Sequence, residues 1–65
     1  MSFQNYLGKR ARITDVDGQV FVGIIEVVTP AIDNEENEAS LCIDSRGIWI
    51  ELFESEIDSF EVIEE

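Results

Sequence analysis

Histidine is absent from this chain, and cysteine occurs once, as Cys42. Histidine is the side chain that ordinarily changes charge near neutral pH and the commonest zinc ligand, so its absence removes the usual general base and the usual metal site. A lone cysteine excludes a disulfide within one chain, so neither staple that commonly supports small domains is expected. Basic residues are scarce as well: four face fifteen acidic ones, for a net charge of −11. Nucleic-acid binding normally rests on a basic footprint that displaces counterions from phosphate. Most of this surface repels phosphate instead, and the acid is read first as a device for keeping a small apolar protein soluble. No apolar run approaches the roughly 20 residues of a membrane-spanning helix. Residues 1–6 also lack the apolar core of a signal peptide, so a reduced cytoplasmic setting without membrane contact is expected.

What is present is a strong β pattern. Residues 8–29 read as two strands joined at Asp17-Gly18, flanked by β-branched runs, where glycine supplies the positive φ of a tight primed hairpin turn. The first strand, near residues 9–15, sets Ala11 and Ile13 against Arg10, Arg12 and Thr14. The second is long, and Gly23 interrupts it where a bend or a close backbone approach is expected. Its alternation puts Phe21, Gly23, Ile25 and Val27 on one face and Val20, Val22 and Ile24 on the other. That second face is too apolar for a solvated one; it is covered within the subunit or meets a partner. Upstream, Ser2 can cap a short helix over residues 3–7 whose face carries Phe3, Tyr6 and Leu7, with Gly8 ending it.

Pro30 stops the second strand and opens an acidic loop at residues 31–38. A third strand is expected near residues 39–44, with Leu41 and Ile43 on one side and Cys42 on the other, then a turn at Ser45-Arg46-Gly47. A fourth strand, 48–53, alternates Ile48, Ile50 and Leu52 against Trp49, Glu51 and Phe53. Glu54-Ser55-Glu56 fits only a tight turn of 3₁₀ type before a last strand at 57–63. The 65 residues thus form a single all-β domain: a short N-terminal helix and five strands bent into a small barrel. A domain this small buries only about 60% of its unfolded surface, so association with copies of itself is the remaining physical support.

In this order the chain resembles the Sm-like (LSm) family of SH3-like barrels. The resemblance rests on Gly8-Lys9, Ala11-x-Ile13, Asp17-Gly18, Phe21-x-Gly23 and Ile25, then on the apolar frame Leu52-Phe53, Ile57 and Phe60. It implies a homo-oligomeric ring in which the fourth strand of one subunit pairs with the fifth of the next. Ile48, Trp49, Ile50, Phe53, Ile57, Phe60 and Val62 are then the candidate interface, with Trp49, Phe53 and Phe60 as aromatic anchors. The alternative is that these aromatics close the subunit's own core. The bacterial RNA chaperones of the family also have a tight turn before an Ile-containing last strand, and this chain is similar to an acidic variant of them. The residues that the family uses on RNA are missing: Pro30-Ala31-Ile32-Asp33-Asn34 offers only Asn34 to a base, and Glu54-Ser55-Glu56 replaces the expected basic residue.

A self-assembling interaction or scaffold module, open to a protein partner, is therefore expected. An RNA-binding ring using Lys9, Arg10, Arg12 and Asn34 is the alternative, disfavoured by charge. An acidic nucleic-acid mimic that blocks a basic partner is a more distant one. Asp33-Asn34-Glu35-Glu36-Asn37-Glu38 alternates oxygen ligands as calcium loops do, but lacks their glycine and their bidentate glutamate, and is read as a solvated loop. Cys42 has no activating neighbour and reads as a small buried hydrophobe. With no nucleophile motif and no phosphate-binding loop, no enzymatic activity, catalytic residue, metal or cofactor is expected.

Overall fold

The computed structural model describes residues 3–63. Five strands, β1 (Arg10–Asp15), β2 (Val20–Thr29), β3 (Ser40–Ser45), β4 (Ile48–Phe53) and β5 (Ile57–Val62), form one antiparallel sheet in the order β4-β3-β2-β1-β5. Each of the first three strands pairs with the next, and β5 returns across the molecule to pair with β1. This leaves β4 and β5 as the two edges. Single 3₁₀ turns occupy Gln4–Tyr6, Ala31–Asp33 and Glu54–Glu56, the last where the short link between strands requires it.

One face of the sheet holds the core: Ala11 and Ile13 of β1, Ile25 of β2, Leu41 and Ile43 of β3 and Leu52 of β4, closed by Phe3 from the N-terminal segment. Phe3 is covered by Phe60, with ring centroids 6.2 Å apart, and Phe60 in turn meets Tyr6 at 4.8 Å. The N-terminal element is a single turn rather than a helix over 3–7, because one turn lacks the backbone bonds to propagate. It keeps Phe3 in the core but leaves Leu7 exposed; Gly8 ends it at φ +84°, and the Ser2 cap lies outside the described residues.

Two further details differ from the sequence pattern. Ile25 faces Ile43 and Val27 faces Cys42, so Glu26 is an extra residue, a bulge that reverses the alternation of β2. Val28, opposite Leu41, therefore packs on the core, and Val27 is turned out to solvent. The Asp17-Gly18 hairpin is also wider than a two-residue primed turn. Asp15 pairs with Gln19, Gly18 donates to the Asp15 carbonyl at 3.0 Å, and only Gly18 of the loop takes positive φ. The cause is Asp15: its Oδ1 accepts the N–H groups of Asp17 at 2.9 Å and Gln19 at 2.8 Å, an Asx-type closure that holds the wider loop. The two-residue primed turn lies instead at Arg46-Gly47, where both residues have positive φ, 55° and 85°.

Gly23 is the tightest point. A Cβ built there would sit on the Asp44 carbonyl, 2.8 Å from its carbon, and 3.1 Å from the Cα of Ser45. β3 curls over β2 into the volume that a side chain would need, and rigid backbone cannot yield as a flexible side chain can. Gly23→Ala is accordingly expected to destabilise the fold by about 3 kcal/mol in urea unfolding. Gly18→Ala, with open space but unfavourable φ, should cost about 1–2 kcal/mol. Equal costs at the two positions would argue against the close approach at Gly23.

Candidate interaction surface

The outer face of the sheet is built from the residues that alternate with the core. Cross-strand register aligns Arg10, Ile24, Asp44 and Trp49 in one row over four strands. Arg12 and Val22 lie in the neighbouring row, with Glu61 opposite Arg12 on β5. Arg12 Nη1 donates to Glu61 Oε1 at 2.7 Å, and both side chains are more than half exposed, so the pair fixes position more than it adds stability. The basic cluster expected from Lys9, Arg10 and Arg12 is thus divided, with Arg12 engaged by acid.

Arg10 lines a cleft of about 390 Å³ together with Val22, Gly23, Ile24, Asp44 and Arg46. Arg46 reaches it from the β3–β4 turn, and the carboxylate of Asp44 accepts the Gly47 N–H at 2.7 Å, which holds that turn. The sequence pattern treated Arg46 as a turn residue only. The signal for its role is register: Arg10 faces Ile24 and Ile24 faces Asp44, which places the β3–β4 turn beside Arg10.

At the other end of β3 a second cleft, about 360 Å³, has Phe3, Val28, Pro30 and Ala39 in its walls and Glu38 and Glu54 at its rim. Here the acid is partly structural. Glu38 Oε1 accepts the Ser55 N–H at 2.8 Å and Glu56 Oε1 accepts the Phe53 N–H at 3.0 Å, so two carboxylates serve backbone groups of the last 3₁₀ turn. Asn34 is committed likewise: its amide donates to the Glu38 carbonyl at 2.9 Å and to Ser40 Oγ at 3.0 Å. The buried Ser40 hydroxyl donates onward to Glu51 Oε2 at 3.1 Å. Loop 31–38 is therefore a clipped structure rather than a freely solvated one. Among the described residues no group of three or more His, Cys, Asp or Glu is placed to hold a metal ion, and no helix is long and apolar enough to cross a membrane.

The candidate interface residues divide by depth. Ile50, Ile57 and Phe60 pack against the subunit's own core, and Phe53 and Val62 are half-buried. Ile48 and Trp49, on edge strand β4, remain 65% and 60% exposed. Comparison with protein-family models, curated proteins and solved structures finds no match to this chain.

Cys42 lies on the outer face between Val27 and Glu51, half-buried. Burial pushes its thiol pKa up, and the carboxylates of Glu51, Glu26 and Asp44 push it the same way. The folded state therefore keeps its proton after the unfolded chain has lost it, and stability should fall as pH rises past the free thiol value of about 8.5. Urea midpoints at pH 7.5 and 9.5 measure this. The decline should be smaller in Cys42→Ala, and an equal decline would assign it to other groups.

Proposed function

We propose that this chain is an Sm-like barrel of the SH3-like kind that assembles with itself and acts as a non-enzymatic interaction module in the cytoplasm. The observation that carries the reading is the pair of open edges: β4 and β5 end the sheet on opposite sides, yet only Glu54–Glu56 separates them in sequence. A flat five-stranded sheet places its outer strands roughly 19 Å apart, at about 4.8 Å per strand. The link from Phe53 to Ile57 spans at most about 14 Å when extended, and a 3₁₀ turn rises only about 2 Å per residue. The sheet must therefore curl towards closure, which supports a barrel. An edge strand with two large apolar side chains exposed is an aggregation hazard unless another strand covers it. Antiparallel addition of β5 from a neighbouring copy to β4 satisfies that requirement and repeats around a ring.

RNA binding receives less support. Of the residues it would use, Arg12 is tied to Glu61 and Asn34 to the loop, while Glu54 and Glu56 occupy the turn where a phosphate contact would need a cation.

Light scattering in 1 M NaCl at two protein concentrations tests the assembly. A mass that is a constant multiple of 7.4 kDa is expected. Trp49→Lys leaves the subunit fold intact, because the side chain is exposed in one copy, but blunts the edge with a charge; its mass should fall to that of one chain. A wild-type monomer, or a Trp49→Lys protein that retains the full mass, would overturn the reading.

A further inference from the structure

The cleft at the start of β3 is bounded by three segments that hold one another in place. Loop 31–38 is clipped by the Asn34 amide and by the Asn37 N–H, which donates to the Asn34 carbonyl at 3.1 Å. The last 3₁₀ turn is tied to this region twice. Its Glu54 N–H donates to the Ala39 carbonyl at 2.9 Å, and its Ser55 N–H donates to Glu38 Oε1. Phe3, seated in the core, supplies a third wall. The cleft is therefore preformed, and its volume of about 360 Å³ lies in the usual range of ligand pockets, roughly 300–1,000 Å³.

Two kinds of chemistry meet there. Phe3, Val28, Pro30, Ala31 and Ala39 are apolar, and Glu38 brings a carboxylate to the rim. Among the described residues no lysine or arginine lines the cleft, and the bond that Glu38 Oε1 accepts comes from a neutral N–H, which leaves the negative charge in place. Glu54, at the same rim, is already engaged, so Glu38 is the acceptor. An apolar cleft with a carboxylate at its rim fits a side chain that has an apolar stem and a cationic head. Lysine and arginine both have that form, but they meet a carboxylate differently. A guanidinium fork uses both oxygens, whereas an ammonium is a point charge that needs one. With Oε1 given to Ser55, the single contact is favoured.

We propose that this cleft docks a lysine side chain of a basic partner protein, with the stem along the apolar wall and the ammonium on Glu38 Oε2. The charge of the whole chain selects a foreign partner over a second copy. Another copy would bring its own −11 with a single lysine, Lys9, whereas a basic segment is attracted by the same charge. The site is complete within one chain, so it is present whether or not copies assemble.

The test is a titration of the ¹⁵N-labelled protein in 0.15 M salt with the peptide acetyl-Ala-Leu-Lys-Leu-Ala-amide. Two further peptides carry norleucine or arginine in place of the lysine; norleucine keeps the four-carbon stem and lacks the ammonium. Amide signals of Gln4, Ala31, Asn37 and Ala39 should move with the lysine peptide. Norleucine should raise Kd about tenfold, the scale of one hydrogen bond to a charged group, and arginine should bind more weakly than lysine. Glu38→Gln keeps an acceptor for the Ser55 N–H, so the fold should persist by circular dichroism. It should lose the same factor for the lysine peptide and none for the norleucine peptide. Asp58→Asn removes one exposed charge on β5, outside the cleft, and should bind the lysine peptide as wild type does. Undetectable binding, shifts spread over the acidic surface, or equal losses in Glu38→Gln and Asp58→Asn would overturn the proposal. Norleucine binding as tightly as lysine would overturn it without any change to the protein, and arginine doing so would overturn the choice of lysine.

Discussion

Much of this molecule depends on one missing side chain. At Gly23 the carbonyl of Asp44 occupies the place of a Cβ, and a sheet with a side chain there would have to be flatter. The close approach brings the end of β3, and with it the Arg46-Gly47 turn, beside Arg10 on β1, although β2 lies between them. The same curl shortens the path that the three-residue link must cover from β4 to β5. One backbone contact thus conditions the core, the outer cleft and the separation of the two edges.

Acid in this chain has more than one use. Asp15, Asp44, Glu38 and Glu56 each accept a backbone N–H, and Glu51 accepts the buried Ser40 hydroxyl. These are the positions where loops and turns leave donors unpaired, and a carboxylate satisfies such a donor more strongly than a neutral acceptor. A charge-assisted turn suits a chain that has no disulfide and only one proline with which to fix its loops. Asp17, Glu26, Asp33, Glu35, Glu36, Asp58 and Glu61 are exposed, and the repulsion between acidic copies discourages indiscriminate contact between exposed apolar edges.

The strands were legible because period-two alternation is a direct consequence of burying one face. β4 coincides with its expected bounds, β1 and β5 differ by one residue at one end, and β3 is shifted by one residue at both. What alternation cannot register is a residue that leaves it. Glu26 looks like any outward-facing acid, yet as a bulge it transfers the core position from Val27 to Val28. The hairpin signal misled for a related reason: Asp17-Gly18 has the composition of a primed turn, but Asp15, two residues earlier, competes for the same N–H groups and widens the loop. At the surface, Arg10 and Arg12 were visible as neighbours on a strand. The division between them was not, since it depends on Glu61 arriving from β5 and Arg46 from the β3–β4 turn, both distant in sequence.

Edge pairing, the proposed route of assembly, would proceed across the strands and rest on backbone hydrogen bonds and the apolar surface of Ile48 and Trp49, terms that salt leaves nearly untouched. Accumulated charge opposes growth, because each added subunit would bring −11 to a body that is already acidic. A closed ring ends that growth once every edge is covered, so lateral closure would limit both the exposed apolar edge and the charge gathered in one body.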